Sequence, residues 1–220
     1  LDAFPHDLVT IGGVAGATVG LLAVIAAMTY FKKWGWLWRN WLTSLDPKKI
    51  GIMYIAVAVI MLLRGLADAA MLRAQQAVFA TSPHSPISPE LFQQVFSAHG
   101  TIMIFFVAMG IIFGLINLIV PLQIGARDVA FPLLNSISFW LFVAGMVLIN
   151  VSLGLGEFSA AGWLAYPPLS ELAYSPGTGI DYWIWSLQIA GVGSLLSGVN
   201  FLVTIMTMRR KGMTPMKMPI

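Results

Sequence analysis

Five stretches of this chain are each at least as long as the ~20 residues that an apolar helix needs to cross about 30 Å of hydrocarbon, and all are nearly free of charge. They lie at about residues 8–30, 50–72, 95–120, 133–155 and 182–208. The second contains Arg64 and Asp68, and the third contains His99 and Asn117. Membrane-barrel strands alternate apolar and polar positions, and these runs do not. The expected fold is therefore an all-α integral membrane protein with five transmembrane helices. No internal repeat or composition break divides it, so residues 1–220 read as a single membrane domain. A chain 58% hydrophobic and only 10% charged falls outside the range of soluble domains.

Further classes drop out on composition. Without cysteine there is no disulfide framework, thiolate metal site or thiol nucleophile. The basic residues flank apolar spans instead of forming a stripe, which argues against nucleic acid as a partner. No basic segment precedes the first apolar run, so no signal peptide is recognisable. A chain that starts at Leu1 and stops at Ile220 without a polar tail reads as an internal stretch of a longer protein.

Sidedness follows from the cations. The first connection carries Lys32, Lys33, Arg39, Lys48 and Lys49 among Trp34, Trp36, Trp38 and Trp41. The third carries Arg127, and the tail carries Arg209, Arg210, Lys211 and Lys217. The connections 73–94 and 156–181 hold one Arg and no Lys. The positive-inside rule then places the N-terminus outside, in the periplasm, and residue 220 in the cytoplasm. The tryptophans fit an interfacial belt along the inner surface. The outer connections, with Ser82-Pro83-His84-Ser85-Pro86, Tyr166-Pro167-Pro168 and Ser175-Pro176-Gly177, read as loops without helix. Gly12, Gly16 and Gly20, and Ala190, Ser194 and Gly198, recur every four residues, a pattern that helix packing explains.

Ionisable groups inside spans are costly and so carry functional weight. Arg64 and Asp68, four residues apart, share a helix face. They read either as a buried structural pair or as a site for a ligand with a carbonyl and a hydroxyl, such as a quinol head group. His99, one to two turns into the third span, either bonds a neighbouring helix or ligates haem iron; Ser97, Ala98 and Gly100 leave room for a flat macrocycle. Asp128 reads either as a solvated charge paired with Arg127 or as the mouth of a proton path, with Asn117 and Asn135 near the same membrane edge. A secondary transporter with Arg64 and Asp68 at its substrate site is a further reading, although broken helices are not evident.

Several runs resemble subunit I of the bo-type quinol oxidases, in the haem–copper oxidase superfamily. They include Arg64-Gly65-Leu66-Ala67-Asp68, Phe96-Ser97-Ala98-His99-Gly100, Val120-Pro121-Leu122-Gln123-Ile124-Gly125-Ala126-Arg127-Asp128, Gly162-Trp163-Leu164-Ala165-Tyr166-Pro167-Pro168 and Asp181-Tyr182-Trp183-Ile184-Trp185. The likeness runs from about Trp34 to the end, and the first span resembles the extra N-terminal helix of this subfamily. The resemblance implies a piece of a bundle of twelve or more helices in a bacterial inner membrane, within an enzyme that oxidises ubiquinol, reduces dioxygen to water and translocates protons. It implies His99 as an axial ligand of a low-spin haem of b or a type, with a high-spin haem and copper elsewhere in the full protein. Arg64, Asp68 and Gln94 match quinol-binding positions, Arg73 and Gln75 match surroundings of the low-spin haem, and Asp128, Asn117 and Asn135 match the start of a proton pathway. Implied partners are quinol, dioxygen, oxidase subunits II, III and IV and the lipid bilayer. A cytochrome c oxidase subunit I fragment is the alternative within the superfamily. Leu91 stands where the family usually has a His, with His84 in the preceding loop as the nearest imidazole. Met109-Gly110 replaces the usual Met-Pro, which predicts a straighter third span.

Overall fold

A computed structural model describes residues 8–79, 87–155 and 158–218. Among them the regular structure is helical, in the order α1 (Leu8–Tyr30), α2 (Trp34–Leu37), α3 (Pro47–Ala74), α4 (Pro89–Thr101), α5 (Met109–Ile124), α6 (Pro132–Gly154) and α7 (Gly179–Thr207). Among the described residues five spans are long and apolar enough to cross a membrane, α4 and α5 together making one of them.

Local chemistry sets where these helices begin and end. Asp46 caps α3 by accepting the Lys48 N–H at 3.0 Å, with Pro47 in the first turn. Ser88 caps α4 by accepting the Leu91 N–H at 3.2 Å, followed by Pro89 and Glu90. Gly125, at φ 69°, ends α5 in the left-handed conformation, and the Ala126 N–H returns to the Pro121 carbonyl at 2.8 Å. The connection expected from Arg73 to Gln94 is shorter than its polarity suggested. Helix continues to Phe79 as a π-helical turn and resumes at Pro89. Nor is the third span regular where Met109-Gly110 predicts straightness. The backbone widens into a π-helix over Ile102–Ala108, just past His99, so the irregularity sits ahead of the position that lacks proline.

The core lies where α3, the π-helical segment and α6 meet. Tyr54 and Phe106 are fully buried there, and Tyr54 meets Phe139 edge-on with ring centroids 5.0 Å apart. Small residues allow close crossings. A side chain on Gly51 would meet the Gly114 carbonyl oxygen at 2.8 Å, and one on Gly114 would meet the Gly51 oxygen at 2.9 Å.

The pair α6 and α7 has the most extensive contact of any two helices. Gly193 lies in that seam, where an added Cβ would stand 2.8 Å from the Ser138 carbonyl oxygen. Gly193→Val should force the helices apart and destabilise the protein by about 1–3 kcal/mol. Thermal unfolding in detergent checks this, and an unchanged midpoint would contradict the packing.

Among the described residues the expected glycine ladder of α1 meets no partner. Nothing there lies within 4 Å of where side chains on Gly12, Gly16 and Gly20 would be, and α1 touches the bundle only lightly, at α6. In the second ladder Ala190 packs on Gly145, whereas a side chain on Gly198 would meet open space and Ser194 bonds its own helix at the Gly191 carbonyl.

Candidate functional site

Two polar clusters form at opposite ends of the bundle. The first joins α3 to α4. Gly65 lacks a side chain, and a Cβ there would stand 2.7 Å from the Met103 sulfur, so the helices come close. In that crossing His99 Nδ1 lies 2.9 Å from the Gly65 carbonyl oxygen. A carbonyl can only accept, so Nδ1 is the donor and the neutral ring carries its lone pair on Nε2. Orienting one imidazole nitrogen on a carbonyl is how proteins prepare the other as a metal ligand.

Along α3, Arg64 precedes Gly65 by one residue and Asp68 follows it by three, and the expected ion pair between them is present. Arg64 Nη1 donates to Asp68 Oδ1. Asp68 is fully buried, whereas the Arg64 side chain keeps 26% of its surface open. The second carboxylate oxygen, Oδ2, is buried and has no hydrogen-bond partner among the described residues. An unmet buried acceptor costs about 1–3 kcal/mol, which a ligand hydroxyl would offset.

The remaining expected residues of this end fall elsewhere. Gln94 turns toward the connection between α6 and α7, where its Oε1 accepts the Phe158 N–H at 3.3 Å. Arg73 is exposed and donates to Gln76 at 3.1 Å. Gln75 opens the π-helical turn and is half-buried. Leu91 is half-buried in the first turn of α4, and His84 lies outside the described residues.

The second cluster lies at the other end. Asn135 Nδ2 donates to Asn117 Oδ1 at 2.6 Å, and Asn117 Nδ2 donates to the Phe113 carbonyl at 2.9 Å. Both amides are fully buried, and Asn135 Oδ1 has no partner among the described residues. Asp128 is half-buried on the connection between α5 and α6, where its Oδ1 accepts the Val129 N–H at 2.8 Å. Among the described residues it forms no ion pair with Arg127, whose side chain is exposed. It is hydrogen-bonded to neither asparagine, so the loop sets its position.

What holds that loop is a set of residues that sequence reasoning missed. Asn200 accepts the Phe131 N–H at 2.9 Å and donates to the Phe131 carbonyl at 3.0 Å, while Thr204 Oγ1 accepts the Ala130 N–H at 2.9 Å. Deeper in the bundle, Ser138 joins the Tyr54 hydroxyl at 3.1 Å, the Ser197 hydroxyl and the Gly193 carbonyl at 2.6 Å. Tyr54, Ser138, Ser197, Asn200 and Thr204 are all buried. The available signal was three- and four-residue spacing: Ser197 and Asn200 lie one turn apart, with Thr204 one turn further.

This arrangement can be set against known proteins. Residues 49–220 match the family described as Cytochrome C and Quinol oxidase polypeptide I. The chain belongs to that family. It is 58% identical over 90% of its length to cytochrome bo(3) ubiquinol oxidase subunit 1 of Buchnera aphidicola subsp. Schizaphis graminum, covering 30% of that protein. It is 54% identical over its whole length to ubiquinol oxidase subunit 1 of Acetobacter aceti, covering 33% of it. It is also 55% identical over its whole length to a probable cytochrome c oxidase subunit 1 of Bradyrhizobium diazoefficiens, again covering 33%. The chain thus spans about a third of the length of these relatives. An oxidase polypeptide I implies haem and copper. The oriented imidazole of His99 fits one axial haem ligand. No group of three or more His, Cys, Asp or Glu that could hold a metal ion occurs among the described residues, so these residues do not fit the copper.

Proposed function

We propose that this chain is the front portion of subunit I of a respiratory quinol oxidase in a bacterial inner membrane, taking electrons from ubiquinol and reducing dioxygen to water while moving protons across the membrane. One observation carries the reading most: Gly65, the residue that orients His99, follows Arg64 directly and sits on the turn closed by Asp68. A two-electron donor bound at the pair is thus next to an imidazole prepared to hold a haem.

The balance of the reaction assigns the roles. Two quinols release four electrons and four protons, and one dioxygen takes up four of each to give two waters. Arg64, partly open, donates to a quinol oxygen. Asp68 Oδ2 accepts from the quinol hydroxyl, which draws its proton away as electrons leave. Nε2 of His99 would hold a haem of b or a type, which would supply a one-electron acceptor. At the far end Asp128 takes protons from the cytoplasm, the side that the cluster of Lys and Arg assigns. The Asn117–Asn135 amides and the Tyr54–Ser138–Ser197 hydroxyls form a buried polar route inward from it. The two clusters then lie at opposite membrane edges, with quinol oxidised at the outer one. Subunits II, III and IV would complete the enzyme.

The competing reading of Arg64 and Asp68 as a purely structural pair has a direct test. Arg64→Leu strands a buried carboxylate at a cost of about 3–5 kcal/mol, so it lowers stability on either reading. The double variant Arg64→Leu/Asp68→Leu removes both charges and should regain stability. In the full-length oxidase it should still show a rise of about tenfold or more in KM for ubiquinol, from the lost charged hydrogen bonds. Parental quinol kinetics in the double variant would overturn the proposed site.

A further inference from the structure

The helix that carries His99 is gripped from two sides. On one side are the contacts with α3: the His99–Gly65 bond and the fit of Met103 against Gly65. On the other, Gln94, Ser97 and Thr101 recur at three- and four-residue spacing and form a single face of α4. That face holds segments distant in sequence. Gln94 Oε1 accepts the Phe158 N–H at 3.3 Å, Ser97 Oγ accepts the Gly162 N–H at 2.8 Å, and Thr101 Oγ1 accepts the indole N–H of Trp183 at 3.0 Å.

The two hydroxyls are built alike. Ser97 donates to the Gln93 carbonyl and Thr101 to the Ser97 carbonyl, each at 2.8 Å. Their hydrogens are thereby used within α4, leaving only lone pairs for the incoming N–H groups. Both residues are buried, and in an apolar setting each such bond fixes a direction. Gly162 is in the left-handed conformation, at φ 76°, and the next residue, Trp163, packs against Gly100, where a Cβ would lie 3.1 Å from that of Trp163. Residues two apart on a helix do not share a face, so His99 projects away from Ser97 and Thr101. Rotation of α4 about its axis would swing the imidazole, and this rotation is what the hydroxyl bonds oppose.

We infer that Ser97 and Thr101 are positioning residues for the haem-bound imidazole, setting the rotation of α4 through Gly162 and Trp183. This rests on the oxidase reading above. Neither residue touches substrate.

The test uses full-length oxidase in membranes, with Thr101→Val, Thr101→Ser, Ser97→Ala and Ser97→Thr. Thr101→Val keeps the shape and removes the hydroxyl, so it is the variant least exposed to folding failure. At a fixed ambient potential, the reduced-to-oxidised ratio of the low-spin haem should shift by about threefold or more in Thr101→Val and Ser97→Ala. Thr101→Ser and Ser97→Thr, which retain the hydroxyl, should stay near the parent. Hydrogen exchange at the Gly162 amide should quicken in Ser97→Ala, reporting the broken bond independently. A quickened amide with a parental haem ratio and spectrum would overturn the inference, since the bond would then be structural only. A parent protein with no low-spin haem spectrum would overturn the oxidase reading, and the inference with it.

Discussion

Loss of the low-spin haem spectrum and of ubiquinol oxidation is the expected result of His99→Ala in the full-length protein. The structure predicts that this happens without unfolding. Among the described residues His99 makes one hydrogen bond, to the Gly65 carbonyl, so its removal costs about 1 kcal/mol of hydrogen bonding. The grip on α4 from Gln94, Ser97 and Thr101 remains. The proposed role as metal ligand is different in kind, because among the described residues there is no other histidine to take its place. Reduced-minus-oxidised spectra per mole of purified protein, with circular dichroism as the folding control, provide the check. A full b-type signal in His99→Ala would remove His99 from the haem site.

Asp128→Asn should leave electron entry intact and slow steady-state turnover by about a hundredfold, the lower range for loss of a positioned proton-transfer group. The variant isolates the titrating group from the local fold. Asparagine Oδ1 can still accept the Val129 N–H, and Asn200 and Thr204 still clamp the following residues. Reduction of the low-spin haem by ubiquinol should keep its parental rate, because the proposed quinol site lies at the opposite end of the bundle. Stopped-flow haem reduction alongside oxygen consumption separates the two. Equal slowing of both would show a general defect, and no slowing of either would show that protons enter elsewhere.

The two ends were legible in the sequence to different depths. Arg64 and Asp68 could be paired from their spacing alone, since residues four apart on a helix are neighbours whatever else the fold does. That Asp68 would be fully buried with one oxygen unmet depends on how α3 is covered by the rest of the bundle, and no local pattern contains it. Asn117 and Asn135 could be assigned to one membrane edge, but their bond at 2.6 Å joins α5 to α6. Gln94 shows the limit most clearly. Grouped with the quinol ligands on resemblance, it holds the Phe158 N–H of a segment 64 residues further on. Asn200, Thr204, Ser138 and Ser197 went unnoticed because isolated polar residues in an apolar helix carry no mark of their partners.

The sequence by itself determined that the chain is helical, that five of its spans can cross a membrane, and where the ionisable groups lie along them. Those properties follow from hydrocarbon thickness, backbone hydrogen bonding and the cost of burying charge, all of which act on contiguous residues. The tertiary structure alone decided which nitrogen of His99 carries the proton, which face of α4 is gripped, and which polar groups meet across helices. Each of these depends on the approach and rotation of helices against one another, set by glycines and small residues at crossings such as Gly65 with Met103 and Gly193 with Ser138.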